Sequence, residues 1–340
     1  MSRVLTNLHW FDLTFPSDLE AAPVLDVVRG FSTRARHGFW AQVRPIVVEV
    51  QRSSGRYSWQ LGVEEREAGP LVRALRHHLP AVRVDRAVRT LPVLTRGVEL
   101  RLRSPRRATN TDLTEQVATG LLVAMSGIGR DEAVTLQWVI GPWLPRSPVP
   151  SSWDQPDPGW PWRLLNDQSD LDTEATQALR AKQREHVFGV VGRIAVRAAS
   201  RSREQQLLQR LVGALQLVRD PGVGFVRRLI PGAWVPKRIV DCRVPEIEWP
   251  CVLNATELTG LFGWPFGGPL LEGVTYAAGR PLPATSRTLV PHDVVRALNS
   301  TRVGDQLRPI AETTYPGQTG LLVLRPKDAL QHLHVLGPTG

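Results

Sequence analysis

The hydrophobic pattern of the first part of the chain switches repeatedly between strand-like and helix-like spacing. Period-two alternation with β-branched residues predicts strands, and apolar residues three and four positions apart predict helices. The predicted elements are a helix at 17–33 with Ser17 as N-cap, a hairpin of strands at 44–50 and 57–63, a helix at 69–79, strands at 81–88 and 98–103, a helix at 112–126 and a strand at 133–140.

The same alternation resumes further along the chain. The predicted elements there are a helix at 172–185, a strand at 187–198, a Leu-rich helix at 202–218, a strand at 222–229, short helices at 253–262 and 292–299, and strands at 320–324 and 332–336. A strand–helix–strand unit thus recurs about three times without visible sequence identity. Such units build α+β sheets with helices on one face. We therefore expect an α+β protein made of tandem ferredoxin-like units.

Proline and tryptophan set the predicted domain boundaries. Residues 142–162 read PWLPRSPVPSSWDQPDPGWPW, and because proline fixes φ and removes a donor, regular structure is not expected there. The predicted organisation is an N-terminal α+β domain at 1–141, a Pro/Trp-rich linker at 142–171, a second α+β domain at 172–250 and a lead-in to a further domain at 251–340.

The charge of the chain changes this picture by suggesting a class of partner. The formal net charge is +10, and only three of the 42 basic residues are lysine. An Arg-rich composition also follows from codon bias, so the charge permits DNA as a partner without requiring it.

Two groups of arginines are candidates for phosphate contacts, because the guanidinium fork matches a phosphate group. They are Arg101, Arg103, Arg106 and Arg107 at the end of a predicted strand, and Arg193, Arg197, Arg201 and Arg203 across a predicted strand and the next helix. A solvated charged face is the simpler interpretation of each group alone, and both interpretations stay open.

The sequence offers few other candidates for a metal site, a catalytic site or a targeting segment. Cys242 and Cys251 lack the spacing and the additional ligands of a structural zinc site, so we expect reduced, partly buried thiols and no metal. No nucleophile elbow of the form G-x-S-x-G is present. No apolar run approaches the ~20 residues of a membrane span, and the N-terminus lacks the pattern of a signal peptide. These features indicate a cytoplasmic protein, or one that reaches a membrane only through partners.

The last residues carry the strongest motif. The predicted strand at 332–336 runs directly into Gly337, Pro338, Thr339 and Gly340, which match the first four positions of the P-loop pattern G-x-x-x-x-G-K-[ST]. In that motif, glycines let backbone N–H groups face phosphate oxygens, while the Lys and Ser/Thr bind phosphate and Mg²⁺. We predict a partial nucleotide site that continues beyond residue 340, and no ATP hydrolysis by this chain itself.

Three stretches together resemble a known family. They are the closing segment (321–324, Asp328, His332 or His334, then 335–340), LNATELTGLFGWP at 253–265, and FGVVGRIAVRA at 188–198 with the Leu-rich helix after it. On these motifs the sequence is similar to actinobacterial conjugative DNA-transfer ATPases of the TraG/TraD-like type. That group is related to the coupling proteins and to the HerA–FtsK and type IV secretion motor superfamily. Unlike membrane-anchored coupling proteins, this sequence shows no transmembrane hairpin.

The resemblance implies a role for the chain. It would be the pre-motor region of a DNA-translocating ATPase, acting in assembly and substrate engagement, followed by a RecA-like motor. ATP and Mg²⁺ would be cofactors of the parent protein and not of this chain. The implied partners are DNA, components of the conjugation or secretion machinery, and further copies in a hexameric ring. Two alternatives stay open: a stand-alone nucleic-acid- or protein-binding module, and an unrelated soluble enzyme that uses the basic clefts.

Overall fold

A computed structural model of the chain describes residues 2–34, 44–104, 107–145, 177–220, 222–245, 248–277, 288–295, 307–313 and 320–325. These residues form a mixed α+β fold in which every described strand pair is antiparallel. The chain divides into two compact units, residues 1–277 and residues 278–340. The first unit holds all the elements that position the candidate site.

The first half of the larger unit begins with a two-residue strand and then runs in the order strand, helix, strand, strand, helix, strand. The elements are β1 (Ser2–Arg3), β2 (Leu8–Thr14), α1 (Ala21–Gly30), β3 (Ile46–Ser53), β4 (Arg56–Glu64), α2 (Glu65–His78) and β5 (Arg83–Ala87).

The second half repeats that order and adds a short C-terminal extension. The repeated elements are β6 (Arg96–Arg103), α3 (Thr114–Ser126), β7 (Ala133–Leu144), β8 (Val187–Arg197), α4 (Arg201–Ala214) and β9 (Gly224–Arg227). The extension contains α5 (Val235–Val240), β10 (Val244–Pro245), β11 (Cys251–Asn254) and α6 (Ala255–Leu261). Residues 177–182 are also helical.

One continuous sheet joins the two halves. Its strand order is β5-β2-β4-β3-β7-β8-β6-β9. The two halves meet where their second strands, β3 and β7, pair with each other. Outward from this junction, the strands of each half follow in the order second, third, first, fourth. The halves are therefore related by a pseudo-two-fold axis at that junction. β11 extends the sheet beside β6 by pairing with the first residues of β8.

The predicted division at 142–171 does not separate two sheets. β7 ends at Leu144 and β8 begins at Val187, and these strands pair with each other over most of their length. Residues 145–186 thus connect neighbouring strands of the second half, where the first half has the short turn between β3 and β4. Because β7 and β8 share one core, 1–141 and 172–250 belong to the same unit.

One face of the sheet, here called the first face, carries the main hydrophobic core. α1, α2, α3, α4 and α6 bury their apolar sides against it. α6 packs between α1 and α3, close to the junction of the halves. The indole Nε1 of Trp138 donates to Leu261 O at 2.7 Å, and that of Trp59 donates to Gly263 O at 2.8 Å, so both halves hold the end of α6.

The opposite face, here called the second face, has a thinner cover. It consists of α5, of the strap, defined as residues 88–95, and of a small cluster in which Leu5, Cys242, Val244 and Trp249 pack on the sheet. Leu91 and Leu94 of the strap surround the buried Val235 and Ile239 of α5, which lie against Ala195. Since both faces are covered, the central strands are buried almost throughout, which explains their long apolar runs.

Glycines make room for two bulky side chains on the sheet. A Cβ at Gly141 would lie 2.2 Å from the ring of Trp249, and one at Gly189 would lie 2.6 Å from it. A Cβ at Gly97 would lie 2.7 Å from Val235 Cγ1. The absent side chains thus let Trp249 and α5 lie directly on the backbone of the second face.

The smaller unit contains a three-stranded sheet. Its strands are β12 (Leu289–Val290), β13 (Arg308–Glu312) and β14 (Leu321–Leu324), in the order β12-β14-β13. Val290, Val295, Leu307 and Val323 form its buried cluster. β14 confirms the predicted strand at 320–324, whereas the predicted strand at 332–336 lies outside the described residues. Within the described ranges, no helix is both long and apolar enough to cross a bilayer.

Candidate nucleic-acid interface

A row of polar side chains crosses the second face at one register and is here called the polar row. Its members are cross-strand partners of one another from β5 to β6: Asp85, Asp12, Gln60, Glu49, Gln137, Arg193 and Glu99. The pseudo-two-fold axis relates corresponding positions, since Asp12 and Glu99 both lie on first strands and Glu49 and Gln137 both lie on second strands.

The buried members of the polar row satisfy one another. Gln137 Nε2 donates to Glu49 Oε1 at 2.8 Å, and Arg193 Nη1 donates to Gln137 Oε1 at 2.8 Å. In the first half, Gln60 Nε2 donates to Asp12 Oδ1 at 2.8 Å. A buried polar group without a partner costs the full desolvation penalty, so these contacts make the row compatible with a covered sheet.

Glu99 is the electrostatic centre of the second half. Arg193 Nε donates to Glu99 Oε2 at 2.9 Å, Arg228 Nη1 donates to Oε1 at 2.6 Å, and Arg238 Nη1 lies 3.3 Å from Oε2. Burial raises the pKa of Glu99, but the charge and hydrogen bonds of these arginines outweigh it and hold the pKa below its usual value. One carboxylate shared among three guanidinium groups leaves an excess of positive charge.

Glu49 and the row together attach α5 to the sheet. Arg89 of the strap pairs with Glu49 (Nη2–Oε1 2.5 Å) and donates to the carbonyls of Ile239 and Val240, both at 2.7 Å. Gln137 Nε2 donates to Ile239 O at 2.9 Å. Cationic and donor groups at a helix C-terminus offset its partial negative charge, so the row fixes the position of α5.

The first predicted arginine group continues from Glu99 along the same strand. Arg101 and Arg103 lie on β6 at the alternate positions that share the second face with Glu99, and both are exposed. Within the described ranges, neither guanidinium group has an ion-pair partner. Together with Arg228 and Arg238 they form what is here called the β6 basic surface.

Only one of the other two members of that predicted group lies among the described residues. Arg106 lies outside the described residues. Arg107 is half-buried, is engaged in an interaction, and accepts a hydrogen bond at its carbonyl from Lys182 Nζ at 2.9 Å. The structure thus brings Arg101 and Arg103 together on one strand.

The second predicted arginine group does not form a single exposed cluster. Arg193 is 1% exposed and directs its donors to Glu99, to Gln137 and to the carbonyl of Arg243, so it cannot reach a phosphate group. Its place in the interior follows from strand alternation, which puts it on the covered second face. The remaining three lie apart from it: Arg201 is exposed at the start of α4, Arg197 Nη2 donates to Asp131 O at 3.2 Å, and Arg203 makes two contacts with Glu132.

The predicted nucleotide-site residues Gly337, Pro338, Thr339 and Gly340 lie outside the described residues. In the part of the chain that the structure describes, no three His, Cys, Asp or Glu side chains are grouped so that they could hold a metal ion. Cys242 and Cys251 are free thiols and are fully buried, where partial burial was expected.

A second buried ion pair lies on the first-face side, next to the family-like stretch at 253–265. Lys182 Nζ lies 3.2 Å from Glu257 Oε2, and burial lowers the lysine pKa although the carboxylate opposes this. Glu257 also accepts from the backbone N–H groups of Thr109 and Asn254, both at 2.6 Å. The predicted capping box of Asn254 and Glu257 is confirmed. These contacts of Glu257 stabilise the start of α6.

Sequence reasoning missed the residues that complete the site. Glu99, Arg228, Arg238 and Arg89 were not among the predicted site residues. A charged or amide side chain inside each largely apolar run (Glu49, Gln137 and Arg193) was the available indication. Their pairing depends on strand register, which the sequence pattern does not specify for a sheet buried on both faces.

Comparison of the chain with protein-family models and with curated proteins gives no match.

Proposed function

We propose that this chain is the non-catalytic pre-motor region of a DNA-translocating ATPase of conjugative transfer or type IV secretion, and that it engages DNA through the β6 basic surface. The observation that carries the proposal is the excess of guanidinium groups over carboxylates at the exposed end of a rigid strand. A backbone-directed, sequence-independent contact requires fixed positive charge and no base-reading elements.

Rigidity distinguishes this surface from scattered surface arginines. Leu100 and Leu102 are buried on the first face and alternate with Arg101 and Arg103. Side chains two residues apart on one face of a strand are separated by about 6.6 Å, so the two guanidinium groups project side by side. Glu99 keeps Arg228 and Arg238 beside them without neutralising the group. The resulting local potential attracts a polyanion.

We also propose that each half of the larger unit is a ferredoxin-like unit. The strand order and the sequence of elements in each half support tandem ferredoxin-like units. The P-loop-like residues 337–340 support continuation into a RecA-like motor that uses ATP and Mg²⁺. We propose that the parent protein forms a hexameric ring with secretion components as partners, in the cytoplasm or beside the membrane. A reading frame that continues from Gly340 into a Gly-Lys-Ser or Gly-Lys-Thr sequence supports the motor. A stop codon at that point favours the stand-alone binding module.

The DNA contact is tested by a salt titration of the whole chain with fluorescent duplex and single-stranded DNA. The variant Arg101→Gln/Arg103→Gln removes two charges from the β6 basic surface. The matched control, Arg66→Gln/Arg73→Gln, removes two exposed charges from α2. We expect the first variant to lower the slope of log K against log salt for duplex DNA by about 1.8, and the control to leave it nearly unchanged. Equal slopes for both variants, or no binding at about 50 mM salt, would remove the DNA role.

A further inference from the structure

The outer side of the cover on the second face displays large apolar side chains. Leu229 is fully exposed, Val88 is 84% exposed, Val93 66%, Trp234 62% and Val240 56%. These five residues are here called the α5 surface. Exposed apolar residues that occur singly are ordinary on a protein surface, but a group on one side of a sheet needs an explanation.

Each protruding side chain is held by neighbours that pack inward. Leu229 lies between Arg228, which binds Glu99, and the inward-packed Ile230. Val93 lies between Leu91 and Leu94, which pack against α5. Val88 precedes Arg89, which pairs with Glu49. The backbone at these positions is therefore fixed to the sheet, and the exposure of the side chains is imposed by the fold.

Basic groups lie beside the α5 surface. The side chain of Lys237, on α5 itself, is 75% exposed, and those of Arg228 and Arg238 are 39% and 24% exposed. The acidic Asp241 at the end of α5 is shared between Arg243 at 3.0 Å and Lys237 at 3.7 Å, so one carboxylate faces two cations. The surface thus combines protruding apolar groups with positive charge beside them.

We infer that the α5 surface docks the protein on an anionic lipid surface. The apolar groups are separate protrusions on a short helix and two loops, which suits insertion between lipid headgroups. Trp234 has the amphipathic indole ring that is enriched at membrane–water interfaces. The positive charge beside this surface complements acidic headgroups, and neither electrostatic attraction nor one or two apolar groups suffices alone for stable binding.

A nucleic acid is a poorer occupant of this surface than a lipid headgroup layer. Four of the five protruding side chains are aliphatic and offer no ring for base stacking, which is what single-stranded nucleic acid requires. Arg228 and Arg238 border both this surface and the β6 basic surface. Substitutions at Leu229 and Trp234 therefore test the lipid site while Arg101 and Arg103 stay in place.

Co-sedimentation of the full chain with vesicles tests the inference. The vesicles are phosphatidylcholine alone or phosphatidylcholine with about 30% phosphatidylserine. The test variant is Leu229→Ser/Trp234→Ser, and the matched control is Leu270→Ser/Leu217→Ser, which alters two apolar residues that are 100% and 43% exposed elsewhere. We expect binding only to the acidic vesicles, roughly a tenfold or greater loss of affinity in the test variant, and a change of less than about twofold in the control.

Tryptophan quenching gives a second, independent measurement. Brominated acyl chains should quench the wild-type protein more than Trp234→Phe, and this difference should vanish with unbrominated vesicles. No binding of the wild-type chain to acidic vesicles, or equal losses in the test and control variants, would overturn the inference. So would a test variant that loses DNA affinity and keeps vesicle binding. The variant Arg101→Gln/Arg103→Gln reports separately on the proposed DNA role.

Discussion

Arg193 and Glu99 face each other on the adjacent strands β8 and β6, with Arg193 Nε 2.9 Å from Glu99 Oε2 and both side chains almost completely buried. Burial lowers the pKa of Arg193, and the carboxylate opposes that shift. An ion pair in this position is compatible with folding only because its remaining donors reach Gln137 and backbone carbonyls. Loss of Arg193 removes the most deeply buried of the three guanidinium groups beside Glu99, together with the donor to Gln137.

The first prediction concerns the stability that this pair controls. Arg193→Met should lower the free energy of unfolding by about 3–5 kcal/mol, because Glu99 would lose its buried partner. Urea denaturation followed by circular dichroism measures the change. Arg101→Met, two strand positions from Glu99 but exposed, should stay within about 0.5 kcal/mol of the wild type. Equal effects of the two substitutions would show that the buried pair is not a structural element.

The second prediction is a pH dependence. Burial raises the pKa of Glu99, yet Arg193, Arg228 and Arg238 outweigh it, so the folded-state pKa lies below the ordinary value of 4.5. The ionised carboxylate therefore stabilises the fold above pH 4.5, and this contribution is lost as the pH falls through the folded-state pKa. Glu99→Gln should be less stable at neutral pH and should lose less stability than the wild type on acidification.

Denaturant melts at several pH values between about 2 and 6 measure the effect, because one proton linked to unfolding changes the free energy by about 1.4 kcal/mol per pH unit. Parallel curves for the wild type and Glu99→Gln would contradict the assignment. Glu132→Gln is a useful comparison, since the pKa of Glu132 is also lowered, chiefly by its hydrogen bond with Arg203, at a more accessible position. The pH dependence that comes from the Glu132 carboxylate should persist in Glu99→Gln and be absent from Glu132→Gln.

The third prediction compares two glycine-to-alanine substitutions. Gly189→Ala places a Cβ 2.6 Å from the ring of Trp249 and should destabilise the protein by about 1–3 kcal/mol through overpacking. Gly213→Ala, in α4, meets nothing within 4 Å and should stabilise it by up to about 1 kcal/mol through helix propensity. Thermal unfolding of both variants measures the contrast. A neutral Gly189→Ala would show that Trp249 moves aside freely.

Local elements of this fold were predictable because the helices show a clear hydrophobic period and the central strands form β-branched apolar runs between turn signals. The hairpin of β3 and β4, the helices α2, α3 and α4, and the strands β5 to β9 all lie close to their predicted positions. α1 differs at its start, since it begins at Ala21 after Glu20 and Ser17 is not its cap. α5 was missed because it is short and Pro236 lies at its start, in a stretch that proline made look irregular.

The strand order and the register between strands were harder to predict from the sequence. The strand order around the junction of β3 and β7 is set by contacts between segments far apart in the chain. A residue such as Arg193 looks like a member of a surface group until its register with Glu99 is known. The 142–171 stretch looked like a domain boundary because its composition differs, although the strands on either side of it pair with each other.

The last prediction concerns the two thiols. Burial raises the pKa of both Cys242 and Cys251 to about 12, so neither is a thiolate at physiological pH. Native protein should therefore react with iodoacetamide or a disulfide reagent only at the rate at which it unfolds, and in denaturant both thiols should react at once. Mass spectrometry of alkylated peptides resolves the two positions. Cys251 lies in β11 against β8, so its labelling should follow global unfolding, and rapid labelling of Cys251 in native buffer would contradict the described packing of this strand.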